Sequence, residues 1–245
     1  MENVSEMGTN FETKPVIPLL RERAEGIKTS TTEISPESKQ TMRENVGRFS
    51  QTIPEATLIG GVALRVWLDK KGLFVPQEFG KDIDFTLNRE KFNELNGTFV
   101  SSSSQNSITE KYRKKGNNEK TPFGEQNFNK DRNNYIALED KKSYAHIDIF
   151  VNQNENVQTI DYQDNKLSII SPEELFLGYA KKAKNELEKS QLQRRTVVYF
   201  YLSSLIVDEK KIDPKLQWEN AVRDLDAKIQ KAGKEGKVVE EVTHL

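Results

Sequence analysis

The arrangement of apolar and polar positions changes several times along the chain. Residues 1 to about 33 are polar with no sustained period, although Val16 to Leu20 are apolar enough to dock as an arm. Ser35 followed by Pro36 predicts a helix start, because a serine side chain caps the first turn and proline loses nothing at the first helical position. That helix should reach about Phe49. Ala56 to Ile59 is a short apolar run that reads as a buried strand, Gly60-Gly61 follows, and Val62, Val66 and Trp67 mark a helix running to Gly72. After a linker containing Pro76 and Gly80, Asp82 to Leu87 alternates strictly, with Ile83, Phe85 and Leu87 on one face and the two aspartates on the other. Asn88 then caps a short helix ending near Gly97.

Residues 98 to 133 carry the weakest pattern, with Ser101 to Ser104 in a row, many asparagines and one strand expected around Ile108 to Tyr112. Tyr135 to Leu138 and Tyr144 to Val151 read as a hairpin turned at Asp140 to Ser143, and Val157 to Tyr162 with Leu167 to Ile170 as a second. Ser171-Pro172-Glu173-Glu174 is a capping box that opens a long helix. The apolar groups Leu175 to Ala180, Val197 to Leu205, and Leu216, Trp218, Val222 and Leu225 predict three bundled helices, with a loose tail from Lys231. The expected organisation is a polar extension over 1–33, a mixed α+β unit over 34–170 and a helical unit over 171–245.

Composition narrows the chemistry. The chain has 245 residues, enough for a real core, but only 35% are hydrophobic and 31% are charged, so only part of it packs tightly. The absence of cysteine removes disulfides, thiolate metal sites and thiol nucleophiles. With His146 and His244 the only histidines, a metal site must rest on carboxylate oxygens, which suit magnesium, manganese or calcium. The 37 basic and 38 acidic residues nearly cancel, which argues against a surface wholly built for nucleic acid. No apolar stretch approaches a membrane span, and the polar start Met1 to Thr13 lacks the apolar core of a signal peptide; the expectation is a soluble cytoplasmic protein with no membrane partner.

Asp82, Asp84 and Asp148 lie on two strands, each opposite an apolar face. If those strands are neighbours, the three converge, and converging carboxylates call for a raised pKa or a bound cation. The double glycine between strand and helix supplies bare backbone N–H groups that approach phosphate oxygens without side-chain interference. An acid-apolar-acid strand alone is usually a solvated sheet face, and a double glycine alone is usually a turn. Their order, together with a third acid, carries the inference to a nucleotide and metal site.

Leu58-Ile59-Gly60-Gly61, Asp82-Ile83-Asp84-Phe85 and Ile147-Asp148-Ile149-Phe150 together resemble the nucleotidyltransferase fold of DNA polymerase beta, CCA-adding enzymes and antibiotic nucleotidyltransferases. Gly60 to Leu64 followed by Asp-Ile-Asp is most similar to the AbiEii-like, minimal nucleotidyltransferases of toxin systems. The resemblance covers about residues 54 to 200 and requires an insertion around Asp69 to Gly80. It implies a mixed sheet with helices followed by a helical bundle. It also implies transfer of a nucleoside monophosphate from a nucleoside triphosphate to an acceptor hydroxyl, assisted by two magnesium ions, with manganese as a substitute. Asp82, Asp84 and Asp148 would be the catalytic acids and metal ligands, Gly60 and Gly61 would cradle phosphates, and Arg65 and Lys81 would neutralise pyrophosphate. The acceptor would be an RNA or transfer RNA end, or a protein, in a toxin-antitoxin or phage-defence setting with an antitoxin as partner. The alternatives are a small-molecule, antibiotic-type transferase, an inactive nucleotide- or partner-binding module of the same fold, and a carboxylate-metal phosphohydrolase. His146, on the face of Asp148, reads as a hydrogen-bonded structural histidine; Lys111, Arg113, Lys114, Lys115 and Lys120 read as a solvated basic loop interrupted by acids; Tyr199, Phe200, Tyr201 and Trp218 read as core.

Overall fold

The computed structural model describes residues 32–77, 82–100, 107–115, 134–152, 156–188, 194–208 and 210–212. The N-terminal arm, Lys81, the serine run, Lys120 and the third helix expected around Leu216 to Leu225 lie outside them.

Helix α1 spans Pro36–Thr52, and Ser35 caps it by accepting the Ser38 N–H at 3.1 Å. Strand β1 (Thr57–Ile59) runs directly into helix α2 (Gly60–Lys70), so the glycines are the first helical residues rather than a separate turn. The insertion expected from Asp69 starts later, because Asp69 and Lys70 remain in the helix. Strand β2 (Ile83–Leu87) leads to helix α3 (Arg89–Val100), where Asn88 Oδ1 accepts the Lys91 N–H at 2.9 Å. The strand expected around Ile108 begins only at Tyr112: Ile108 lies in the single-turn helix α4 (Ser107–Lys111), and the short edge strand β3 (Tyr112–Lys114) follows. Ile108 is buried like a strand residue, which is why a short apolar signal did not separate the two states.

Strands β4 (Tyr135–Asp140) and β5 (His146–Val151) form the first hairpin. Asp140 ends β4, and its carboxylate accepts the Lys142 and Ser143 N–H groups at 2.7 and 2.9 Å, closing the turn. Strands β6 (Val157–Tyr162) and β7 (Asn165–Ile170) form the second hairpin through Gln163 and Asp164, at φ 54° and 61°, the paired left-handed conformation of a two-residue hairpin. Helix α5 (Pro172–Glu188) starts at the expected box, although only half of it closes. Ser171 Oγ accepts the Glu174 N–H at 3.1 Å, but the Ser171 N–H goes to Asn156 O, and Asn156 also holds the Glu174 carboxylate. Helix α6 (Arg194–Ser204) packs on α5 through the ring pairs Phe176–Phe200 and Tyr179–Tyr199.

The seven strands make one mixed sheet in the order β3-β4-β5-β2-β1-β7-β6. Here β2 is parallel to β5 and antiparallel to β1, while β1 is parallel to β7. The alternating apolar residues of β2, β4 and β5 face a core where Phe49 of α1 meets Phe85 at 4.4 Å and Tyr112 at 5.4 Å between ring centroids. Buried apolar residues run from Ile34 to Val207 as one cluster, so α5 and α6 share the core of the sheet. The Trp67 indole N–H, donating to Ile170 O at 2.9 Å, ties α2 to the end of β7.

Two buried charges lock these layers. Asp69, at the end of α2, is grasped by Arg43 through both carboxylate oxygens, by Lys39 at 2.7 Å and by the Tyr162 hydroxyl at 3.0 Å. Burial alone would raise its carboxyl, but those three donors hold it below the ordinary value of 3.8. Asp140 is likewise lowered against burial by its turn N–H groups and by Arg48 at 2.8 Å. Beside it, burial and the Asp140 charge push the Tyr112 phenol up to about 12.

Candidate active site

The register of β2 and β5 settles the placement of two acids. Asp84 pairs directly with Asp148 across the parallel ladder, so their side chains emerge side by side on the face opposite Phe85 and Ile149. Asp84 also pairs with Ile59, the last residue of β1, which puts it beneath the start of α2. A Cβ built on Gly60 would lie 2.3 Å from Asp84 Oδ2, so the carboxylate sits where a side chain on Gly60 would be. Gly60 also has φ +69°, a conformation that L side chains rarely adopt. At Gly61 the corresponding position is taken by the Tyr199 hydroxyl of α6, 2.7 Å away. Ile59, at the cap position of α2, supplies no capping side chain, and the first N–H groups and the helix dipole favour negative charge there, where the Asp84 carboxylate stands beside Gly60.

Asp82 is exposed, one residue before β2. Its charge, with those of Asp84 and Asp148, acts on the Tyr135 phenol, whose pKa is driven upward first by burial, then by its hydrogen bond to Asp148 and by the three charges. Tyr135 therefore stays a hydrogen-bond donor, and its hydroxyl reaches Asp148 Oδ1 at 2.6 Å. His146 Nε2 lies 2.8 Å from the same oxygen. That hydrogen bond, with the charges of Asp148 and Asp82, raises the imidazole above its ordinary 6.5 against the effects of burial and Lys115.

The donor set suits a hard divalent cation: two in-register carboxylates on adjacent strands, with a third two residues upstream in the chain. Among the described residues, however, no three carboxylate or histidine side chains are gathered into a ready-made metal-ligating group. The fit is one of donor chemistry and backbone placement, with Asp82 exposed one residue before the strand that carries Asp84.

No family model matches the chain, and no curated protein matches it. Several solved structures align with it at low identity. The antibiotic-resistance factor ANT(2'')-Ia aligns over 82% of this chain and all of its own, with 13% identity and a TM-score of 0.44. An antigenic nucleotidyltransferase-like protein from Paracoccidioides brasiliensis aligns over 83% of this chain and 94% of its own, with 10% identity and a TM-score of 0.46. The polyadenylate synthase of Megavirus aligns over 84% of this chain, with 13% identity and a TM-score of 0.42, but this chain spans only 40% of that protein.

Of the residues expected from sequence, Gly60, Asp84 and Asp148 come together directly, Gly61 borders them through α2, and Asp82 stands at the rim. Arg65 is not turned outward: it is 5% exposed, and its guanidinium donates to Gln77 O at 3.0 Å, bracing the loop after α2. Much of the basic stretch is engaged in structure, with Arg113 and Lys115 on Glu139 and Lys114 on Asn96. Two residues were not singled out beforehand as part of the site. Tyr135 read only as a strand residue, yet the register Ala137 opposite Asp148 puts it diagonally across from the acid on the same face. Tyr199 read as core and is core, but its hydroxyl end also walls the glycine turn. Among the described residues no helix is long and apolar enough to cross a membrane.

Proposed function

We propose that this chain is a magnesium-dependent nucleotidyltransferase that moves a nucleoside monophosphate from a nucleoside triphosphate to an acceptor hydroxyl. The observation that supports the reading best is the juxtaposition of Gly60, Asp84 and Asp148: the glycine start of a helix set directly over one member of an in-register pair of carboxylates. Asp82, Asp84 and Asp148 are the residues that would hold magnesium, or manganese in its place. The cation, when bound, supplies positive charge to the phosphates and acidifies the attacking hydroxyl.

The chain's own groups have distinct tasks. The first N–H groups of α2 would face the anionic triphosphate, and the absent side chain of Gly60 lets the Asp84 carboxylate stand close beside them. Asp148, on the strand farther from the glycine turn, stands on the acceptor side, where it would help hold the cation that makes the hydroxyl proton easier to lose. The hydroxyl oxygen bonds to the α-phosphorus as the bond from that phosphorus to the bridging oxygen breaks, and pyrophosphate leaves. For the acceptor we propose an RNA end or a protein in a toxin-type setting, with an antitoxin partner; the support is the likeness of Gly60 to Leu64 and Asp82 to Phe85 to that group.

The test is to incubate the protein with each α-labelled triphosphate, magnesium and cell extract. Label on RNA or protein, lost in Asp84→Asn with melting unchanged, is the expected result. Label on a small molecule would move the acceptor class to the antibiotic type. Triphosphate hydrolysis without labelled acceptor would replace the reading with a phosphohydrolase, and no consumption of any triphosphate would leave a binding module.

A further inference from the structure

Asp148 is gripped at one oxygen from two directions. The Tyr135 hydroxyl and His146 Nε2 both meet Oδ1, at 2.6 and 2.8 Å. Among the described residues, both partners recorded for this carboxylate sit on Oδ1 and none on Oδ2. The grip is built by the sheet. His146 is two residues before Asp148 and shares its face, while Tyr135 reaches diagonally from β4 past Ala137, whose small side chain stands directly opposite Asp148 and leaves the path clear. The Tyr135 ring is itself held against Phe150, with centroids 5.2 Å apart. The carboxylate is 15% exposed and His146 19%, so water competes weakly for these bonds.

A carboxylate beside another in register is repelled by it and has two equivalent oxygens to offer. Two donors on one of them remove that freedom. We propose that Tyr135 and His146 are positioning residues that present Asp148 to a divalent cation through Oδ2 alone and so set the cation affinity of the site. This rests on the nucleotidyl-transfer reading, which makes Asp148 a ligand. Donors behind a ligating group fix its orientation, and losing one typically weakens metal binding about tenfold to a hundredfold.

The test uses the full chain and manganese alone, with the free ion followed by electron paramagnetic resonance. Tyr135→Phe removes only the hydroxyl and keeps the ring on Phe150, so it should bind manganese about tenfold more weakly with an unchanged melting temperature. His146→Ala should weaken binding similarly, and His146→Gln, which restores an N–H donor, should recover most of the loss. A purely structural histidine would show no such recovery in metal affinity. If the wild type binds manganese and Tyr135→Phe and His146→Ala bind it equally well, the clamp is overturned while the transfer reading stands. If the wild type binds none, both fall. Should Tyr135→Phe fail to fold, the histidine pair decides alone.

Discussion

Gly60 and Asp84 share one volume: the position a Cβ would take on the glycine is 2.3 Å from the aspartate Oδ2. Gly60→Ala therefore imposes both a strained left-handed backbone and a displaced carboxylate. The strain costs about 1–3 kcal/mol, visible as a lower urea midpoint. Moving the acid by about 1 Å should lower transfer by about a hundredfold. A variant with full activity would remove Asp84 from the reaction.

The second glycine meets a different wall. A Cβ on Gly61 would fall 2.7 Å from the Tyr199 hydroxyl and 3.1 Å from Cζ, and the ring is 3% exposed with Tyr179 packed against it. Gly61→Ala should cost about 1–3 kcal/mol by overpacking. Tyr199→Phe removes the nearest atom, so the double variant should lose less stability than the two single losses added together. A thermodynamic cycle from chemical denaturation measures the coupling, and strict additivity would place the two residues out of contact.

Acid sensitivity should trace to Asp69. Its carboxyl is lowered in the folded chain, so its contribution is complete above the ordinary 3.8 and is lost as pH falls through the lower folded value. Asp69→Asn keeps the shape but loses the charge that Lys39 and Arg43 grasp, and should cost about 2 kcal/mol near neutral pH. The difference between wild type and variant should shrink as pH is taken below about 4, which denaturation curves at several pH values would show. A constant difference would mean that the aspartate acts through packing rather than charge.

Much of the site was legible because local signals and sheet geometry agree. The alternation in Asp82 to Leu87 and in His146 to Val151 assigns the acids to one face whatever the surrounding topology, and Gly60 is conspicuous because few other residues suit a strand passing straight into a helix. Strand order was not legible, since pairing β2 with β5 joins residues more than sixty positions apart. Tyr135 escaped notice for the same reason: its role depends on a cross-strand register, which its own neighbours do not reveal. The surroundings of Arg65 were not legible, because helical spacing sets it one turn from the glycines but does not say that its guanidinium turns inward to Gln77. The burial of the Asp69 carboxylate was not legible because its partners come from α1 and β6, both remote in sequence.

The contact between Tyr199 and Gly61 can form only late in synthesis. All seven described strands, and the three acids with them, emerge from the ribosome before α6 does. A nascent chain that has made β7 but not α6 holds the sheet's residues while the glycine turn still lacks its wall. The glycine turn therefore gains its wall late in translation, and fragments released early carry Asp84 and Asp148 without the enclosure that the last described helix provides.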